Sequence, residues 1–240
     1  MMLALLPLFG LLAGLFTTLA GLGGGILLLL GLSVVWGPAA ALASTAPAML
    51  VGNMHRLWMM RAEVDRPIAK AFAWGAVPGS FVGGLLAAWM PEGVLRWLML
   101  GMTAAAVGRA FDLWSWRRRA SAMGPAGAGI GALSATAGGA GLLVGPLLMA
   151  AGLSGKRFVA TVAAAAVALH AGRVVAYGLG GMMTGETAMR AAVLTVAVMG
   201  GNQLGLWVRD RILNDERAHR LELGALVVCV GLSVIGVGRG

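Results

Sequence analysis

Apolar residues along the chain fall into eight long runs, at 3–36, 39–60, 68–90, 94–116, 125–153, 158–179, 188–208 and 221–237, and short segments between them hold most of the charge. Crossing about 30 Å of hydrocarbon takes about 20 apolar residues in a helix. The pattern therefore predicts an all-α polytopic membrane protein. The first and fifth runs are the longest, and glycine interrupts each: Gly21, Gly23, Gly24 and Gly25 in one, Gly138, Gly139 and Gly141 in the other. Glycine gives the backbone too much freedom for a straight helix to persist there. Most tryptophans, Trp36, Trp58, Trp89 and Trp97 among them, lie near run ends, where an indole prefers the headgroup layer, while Trp74 sits inside its run.

Composition sharpens this picture. Of 240 residues, 59% are hydrophobic and 11% charged, against about a quarter charged in soluble domains. The mean hydropathy is +0.87. The 39 glycines suit helices that approach closely inside a bilayer. A net charge of +9 does not point to nucleic acid, because the basic residues sit in short clusters between spans and form no basic domain. Cys229 is the single cysteine, which excludes an intrachain disulfide or a cysteine metal site. The start of the chain lacks the basic segment of a cleaved signal, so the first run is expected to belong to the mature fold.

A shift of 117 places aligns the two halves without a gap. It sets Gly10 on Gly127, Gly14 on Gly131, Gly24 on Gly141, Arg56 on Arg173 and Gly84 on Gly201. The expected organisation is one membrane domain of two repeats, 1–120 and 121–240. If each glycine-broken run folds back as a re-entrant hairpin, thirteen basic residues face one side, including Arg56, Arg61, Arg66, Lys70, Arg117, Lys156, Arg157, Arg209 and Arg211. Arg96, Arg173, Arg190 and Arg239 then lie toward the other. Basic residues are retained on the cytoplasmic side, so the hairpin arrangement scores better than single crossings, which divide them ten to seven. A hairpin plus three transmembrane helices per repeat is an odd number of crossings. The repeats are then inverted, and both termini lie outside.

The segment 14–25, which reads Gly-Leu-Phe-Thr-Thr-Leu-Ala-Gly-Leu-Gly-Gly-Gly, together with the 38–45 segment and the Gly-Ala-Val-Pro-Gly stretch at 75–79, resembles the TauE/SafE sulfite exporter family, also called the 4-toluene sulfonate uptake permease family. The resemblance covers essentially the whole chain, with a weaker second copy at 131–141. It implies a small bacterial inner-membrane permease that moves sulfite, sulfoacetate or another organosulfonate. The second copy departs from the pattern, with Gly139-Ala140-Gly141 in place of three glycines.

Candidate substrate-binding residues follow from the breaks and from polar groups inside the runs. Gly21, Gly23, Gly24, Gly25, Gly138, Gly139 and Gly141 would let backbone N–H groups and a half-helix N-terminus approach an oxyanion; close helix packing needs the same glycines and no ligand. Thr17, Thr18, Ser134 and Thr136 precede the breaks and either donate hydroxyls to the anion or bond carbonyls of their own helix. Asn53 and Arg56 align with His170 and Arg173, and ionisable groups inside spans are functional candidates. Inverted repeats would set Arg56 near the cytoplasmic entrance and Arg173 near the outer one, although each side chain could instead snorkel to its headgroup layer. His170 is the candidate for coupling to a proton, with a packing role as the alternative. Arg109 and Asp112 read as a structural pair.

No paired carboxylates, metal-ligand spacing or nucleotide loop appears. The expected protein is accordingly a secondary anion transporter without a cofactor, not an enzyme. Its partners are the small anion, membrane lipids and a candidate coupling proton; the sequence leaves homodimer formation open. An anion channel, or a carrier for another small organic anion, is the alternative.

Overall fold

The computed structural model describes residues 5–21, 23–110, 122–138 and 141–212. The eighth run, Cys229, Gly139, Arg117 and Asp112, and with Asp112 its pairing to Arg109, lie outside what is described. Among the described residues the chain is helical without strands: α1 (Leu6–Ala20), α2 (Gly24–Trp36), α3 (Pro38–Met59), α4 (Arg66–Trp89), α5 (Glu92–Ala110), α6 (Met123–Ala137), α7 (Gly141–Ala150), α8 (Gly155–Leu179) and α9 (Gly185–Ile212). Three of these helices, α4, α8 and α9, are long and apolar enough to cross a membrane.

Both glycine-rich runs break where the sequence places the break. Helix α1 ends at Gly21 (φ +78°), and Gly23 (φ +91°) precedes α2. Such backbone angles are cheap only for glycine. In the second half α6 ends at Gly138 (φ +68°). With 15 and 13 residues, α1 and α2 are each only about 20 Å long, too short to span. Gly24 lies against Ala13 and Thr17, while Gly31 faces the ring of Phe9. Helix α2 therefore retraces α1 in the opposite direction, and the first run forms a hairpin. Gly37 (φ +82°) and Pro38 at the first helical position then turn the chain into α3.

Two helix pairs pack most extensively, α1 with α9 and α4 with α6. Both are built on glycines four residues apart. Gly10 and Gly14 of α1 meet Ala197 and Val198; Gly201 and Gly205 of α9 meet Leu11 and Leu15. Gly75, Gly79 and Gly83 of α4 meet Gly124, Ala128 and Ala132 of α6. Backbone-to-backbone approach of this kind replaces the hydrophobic effect where the solvent is itself hydrocarbon. In each pair residue numbers rise together, so partners run the same way. Helix α8 also runs with α4, with Gly172 on Ser80, Gly84 on Ala176 and Gly180 on Ala88.

The ends of the molecule differ in charge. The backbone N–H of Asp65, just past α3, donates to Thr161 Oγ1 (3.0 Å), and Asp65 pairs with Arg157 (2.6 Å). Lys156 pairs with Asp210 (3.1 Å). The C-terminus of α3 thus sits beside the N-terminus of α8, and the two helices run in opposite directions. Arg61, Arg66, Lys156 and Arg157 gather at this end. At the other, the Arg190 guanidinium lies 4.1 Å over the Trp36 ring and pairs with Glu186. Helices α1, α2 and α3 begin at 6, 24 and 38, and α6, α7 and α8 begin 117 residues later, at 123, 141 and 155. Trp58, Trp74, Trp89 and Trp97 point outward from the bundle.

Candidate functional site

A cavity of about 70 Å³ lies where the first hairpin, α3, α6, α7 and α8 meet. The tip of the hairpin contributes Thr17, Gly21, Gly23 and Gly25, and α2 adds Ile26 and Leu29. Helix α3 presents Thr45, Met49, Asn53 and Arg56, while α8 presents Val162, Ala166, His170 and Arg173, with Leu169 beside them. Ser134 and Val144 complete the wall. The α3 and α8 stripes correspond position for position: each of 45, 49, 53 and 56 lies 117 before 162, 166, 170 and 173, and Thr17 stands in the same relation to Ser134.

Both arginines line this one cavity. Neither snorkels: Arg56 is 1% exposed and Arg173 4%. The hairpin ends partway through the bundle, so the end of α1 offers a buried carbonyl within reach of Arg56. Arg56 donates from one terminal nitrogen to Thr17 O and from the other to Asn53 Oδ1 (2.8 Å), and Asn53 Nδ2 is itself tied to Met49 O (2.7 Å). Arg173 is held less firmly. Its Nε donates to the Tyr177 hydroxyl (3.3 Å), one terminal nitrogen lies 3.4 Å from His170 Nδ1, and the other has no partner. The Tyr177 hydroxyl donates onward to Ala135 O near the end of α6. No carboxylate lines the cavity among the described residues.

Other sequence candidates are placed elsewhere. Thr18 donates to Asn202 Oδ1 (3.0 Å) at the α1–α9 interface, and Asn202 in turn donates to Gly52 O (2.7 Å). Thr136 bonds Ala132 O (3.1 Å) and Leu133 O (3.3 Å) in its own helix. Thr17 likewise donates to Ala13 O, although it reaches the cavity wall. Gly24 serves the α1–α2 contact, and Gly138 lies against Leu29. Gly141 opens α7, and Gly139 is outside the described residues. His55 does not reach the cavity.

Thr45 and Met49 are missing from the sequence candidates, yet the signal for them is present: they continue the Asn53–Arg56 stripe by helical steps and map onto α8 under the same shift. Tyr177, one turn beyond Arg173, is a further buried polar group that the sequence reading passed over.

Two guanidiniums buried with no carboxylate facing them among the described residues carry a large desolvation penalty unless a negative charge joins them. The arrangement fits a small anion held by charge-assisted hydrogen bonds from planar donors. No curated protein and no solved structure matches the chain significantly. The family model described as sulfite exporter TauE/SafE matches residues 6–234, nearly the whole chain, and the protein belongs to this family of multi-pass membrane transporters.

Proposed function

We propose that this chain carries a small sulfur-containing oxyanion, sulfite first, outward across a bacterial inner membrane by alternating access between two inverted halves. The observation that carries the reading is the pair of buried arginines, Arg56 and Arg173, lining one cavity that holds no carboxylate among the described residues. A cavity of about 70 Å³ holds on the order of five water-sized centres, which suits a sulfur atom with three oxygens. The apolar wall of Met49, Leu29 and Val144 supports a second cargo, a sulfonate with a short carbon stem, such as sulfoacetate, admitted when the halves move.

Opposite directions of α3 and α8, and of the helices packed with them, support inversion of the halves. Interrupted helices that meet at a central site recur in secondary transporters. The gathering of Arg61, Arg66, Lys156 and Arg157 at one end supports our assignment of that end to the cytoplasm and, with it, the proposal that both termini lie outside.

Sulfite flux in proteoliposomes tests the proposal. Uptake should saturate and follow an imposed gradient, and chloride should compete poorly. A non-saturating current proportional to voltage would instead make the protein a channel.

His170 shares the cavity with both arginines, and its imidazole can take up a proton alongside a bound anion. We expect His170→Gln to retain saturable flux of sulfoacetate, whose carboxylate and sulfonate both stay ionised at neutrality, while losing the uphill flux that an imposed proton gradient drives in the wild type. A variant that a proton gradient drives as well as it drives the wild type would remove His170 from proton coupling.

A further inference from the structure

We propose that Tyr177 is the positioning residue of the anion site: its hydroxyl holds Arg173 by Nε and so keeps the terminal nitrogens of that guanidinium for the cargo. The inference rests on the transport reading above and adds to it a residue that is not itself part of the cavity wall.

The two arginines of the cavity use their donors in opposite ways. Arg56 commits both terminal nitrogens to the protein, one to Thr17 O and one to Asn53 Oδ1, and its buried Nε has no partner. Arg173 bonds through Nε to the Tyr177 hydroxyl; one of its terminal nitrogens has no partner, and the other lies 3.4 Å from His170 Nδ1 on the cavity wall. The repeat locates the cause. Position 177 corresponds to position 60, where the first half carries Met60, whose thioether is a weak acceptor. Without an acceptor for Nε, Arg56 turns its fork to the end of α1. The carbonyl equivalent to Thr17 O is Ser134 O, which already accepts from the Gly138 N–H (2.9 Å), so the end of α6 does not draw Arg173 away.

The hydroxyl itself is fixed from both sides. Tyr177 stands one turn beyond Arg173 on the same face of α8. It is fully buried, with its ring beside Gly84 of α4, where the missing side chain leaves it room. A tyrosine hydroxyl has one proton to give, and this one goes to Ala135 O in the last turn of α6. Toward Arg173 the oxygen can therefore only accept. A carboxylate in its place would hold the guanidinium more strongly, but it would supply the negative charge that the cargo has to supply. A neutral acceptor orients the cation and leaves its charge uncompensated, in a cavity with no carboxylate among the described residues.

The test titrates sulfite into the full-length protein, into Tyr177→Phe, into Arg173→Ala and into the double variant. Phenylalanine keeps the ring and removes the hydroxyl. Tyr177→Phe is expected to raise the sulfite Kd about fivefold when Arg173 is present and by less than about twofold in the Arg173→Ala background, because a residue that acts through Arg173 then has nothing left to position. The same fold loss in both backgrounds, or an unchanged Kd in the single variant, would overturn the proposal. Tyr177 is the only tyrosine of the chain, so 3-fluorotyrosine supplied during growth labels it alone and keeps the hydroxyl in place. Saturating sulfite should shift its fluorine resonance as Arg173 closes on the anion, and should leave it in place in Arg173→Ala. Should the phenylalanine variant not fold, this resonance decides: a shift that depends on Arg173 supports the proposal, and bound sulfite without a shift, or with the same shift in Arg173→Ala, overturns it. No sulfite binding by the wild type would overturn the transport reading along with this one, whereas wild-type binding with equal losses in both backgrounds overturns this one alone.

Discussion

Arg173→Ala is expected to raise the Kd for sulfite about ten- to hundredfold, the equivalent of about 1.5–3 kcal/mol for hydrogen bonds to a charged group, while the thermal midpoint stays within about 2 °C of the wild type. The asymmetry comes from how this arginine is held. One terminal nitrogen has no partner, and its other two contacts, to Tyr177 and His170, are 3.3 and 3.4 Å long. Little native structure is lost with it, and an incompletely compensated buried charge is removed. Arg56→Ala should behave differently. Arg56 ties Thr17 O at the hairpin end to Asn53, and stripping those buried acceptors costs about 1–3 kcal/mol each. That variant should lose binding together with about 5 °C or more of thermal midpoint. Thermal unfolding and sulfite titration on both proteins check this; equal loss of stability in the two would refute the division of labour.

The two arginines show how far the sequence reaches. Their pairing was legible because one shift aligns Arg56 with Arg173 along with the glycines around them. Their convergence was not, because it depends on the hairpin ending partway through the bundle and on α3 and α8 crossing in opposite directions beside it. A count of basic residues per side treats every arginine as belonging to a surface, whereas these two are buried at 1% and 4% exposure. Adjacent residues of one type posed a second problem. Thr17 reaches the cavity and Thr18 faces Asn202, a difference of about 100° around one helix. Which way each points is set by α9, whose register on α1 follows from Gly201 and Gly205, nearly two hundred residues away in the chain. Breaks, repeat and charge asymmetry are local or periodic signals; the facing of single side chains is set by packing between the halves.

The glycines at the hairpin tip divide in the same way, and substitution separates them. Gly24→Ala is expected to abolish sulfite flux and lower the thermal midpoint by about 5 °C, in line with the 1–3 kcal/mol that overpacking costs. A methyl group there would overlap Ala13 O, a backbone atom of α1 that cannot rotate away, and the Thr17 hydroxyl beside it. The hairpin would have to open, and Thr17 O would move away from Arg56. A leucine at the same position should act through the same splaying and not by filling the cavity, since Gly24 does not line it. Gly25 does line it. A methyl group at Gly25 would meet the Met49 Cε at 3.1 Å, the far end of a flexible side chain that can shift. Gly25→Ala should therefore keep its fold, narrow the cavity, and weaken transport of a sulfonate with a carbon stem more than that of sulfite. Gly101→Ala in α5, where an added methyl meets nothing within 4 Å, is the control and should gain up to about 1 kcal/mol from helix propensity alone. Flux and unfolding measured on all three variants make the comparison: a Gly24→Ala protein that transports and melts like the wild type would show that the close contact of α1 with α2 does not hold the cavity together.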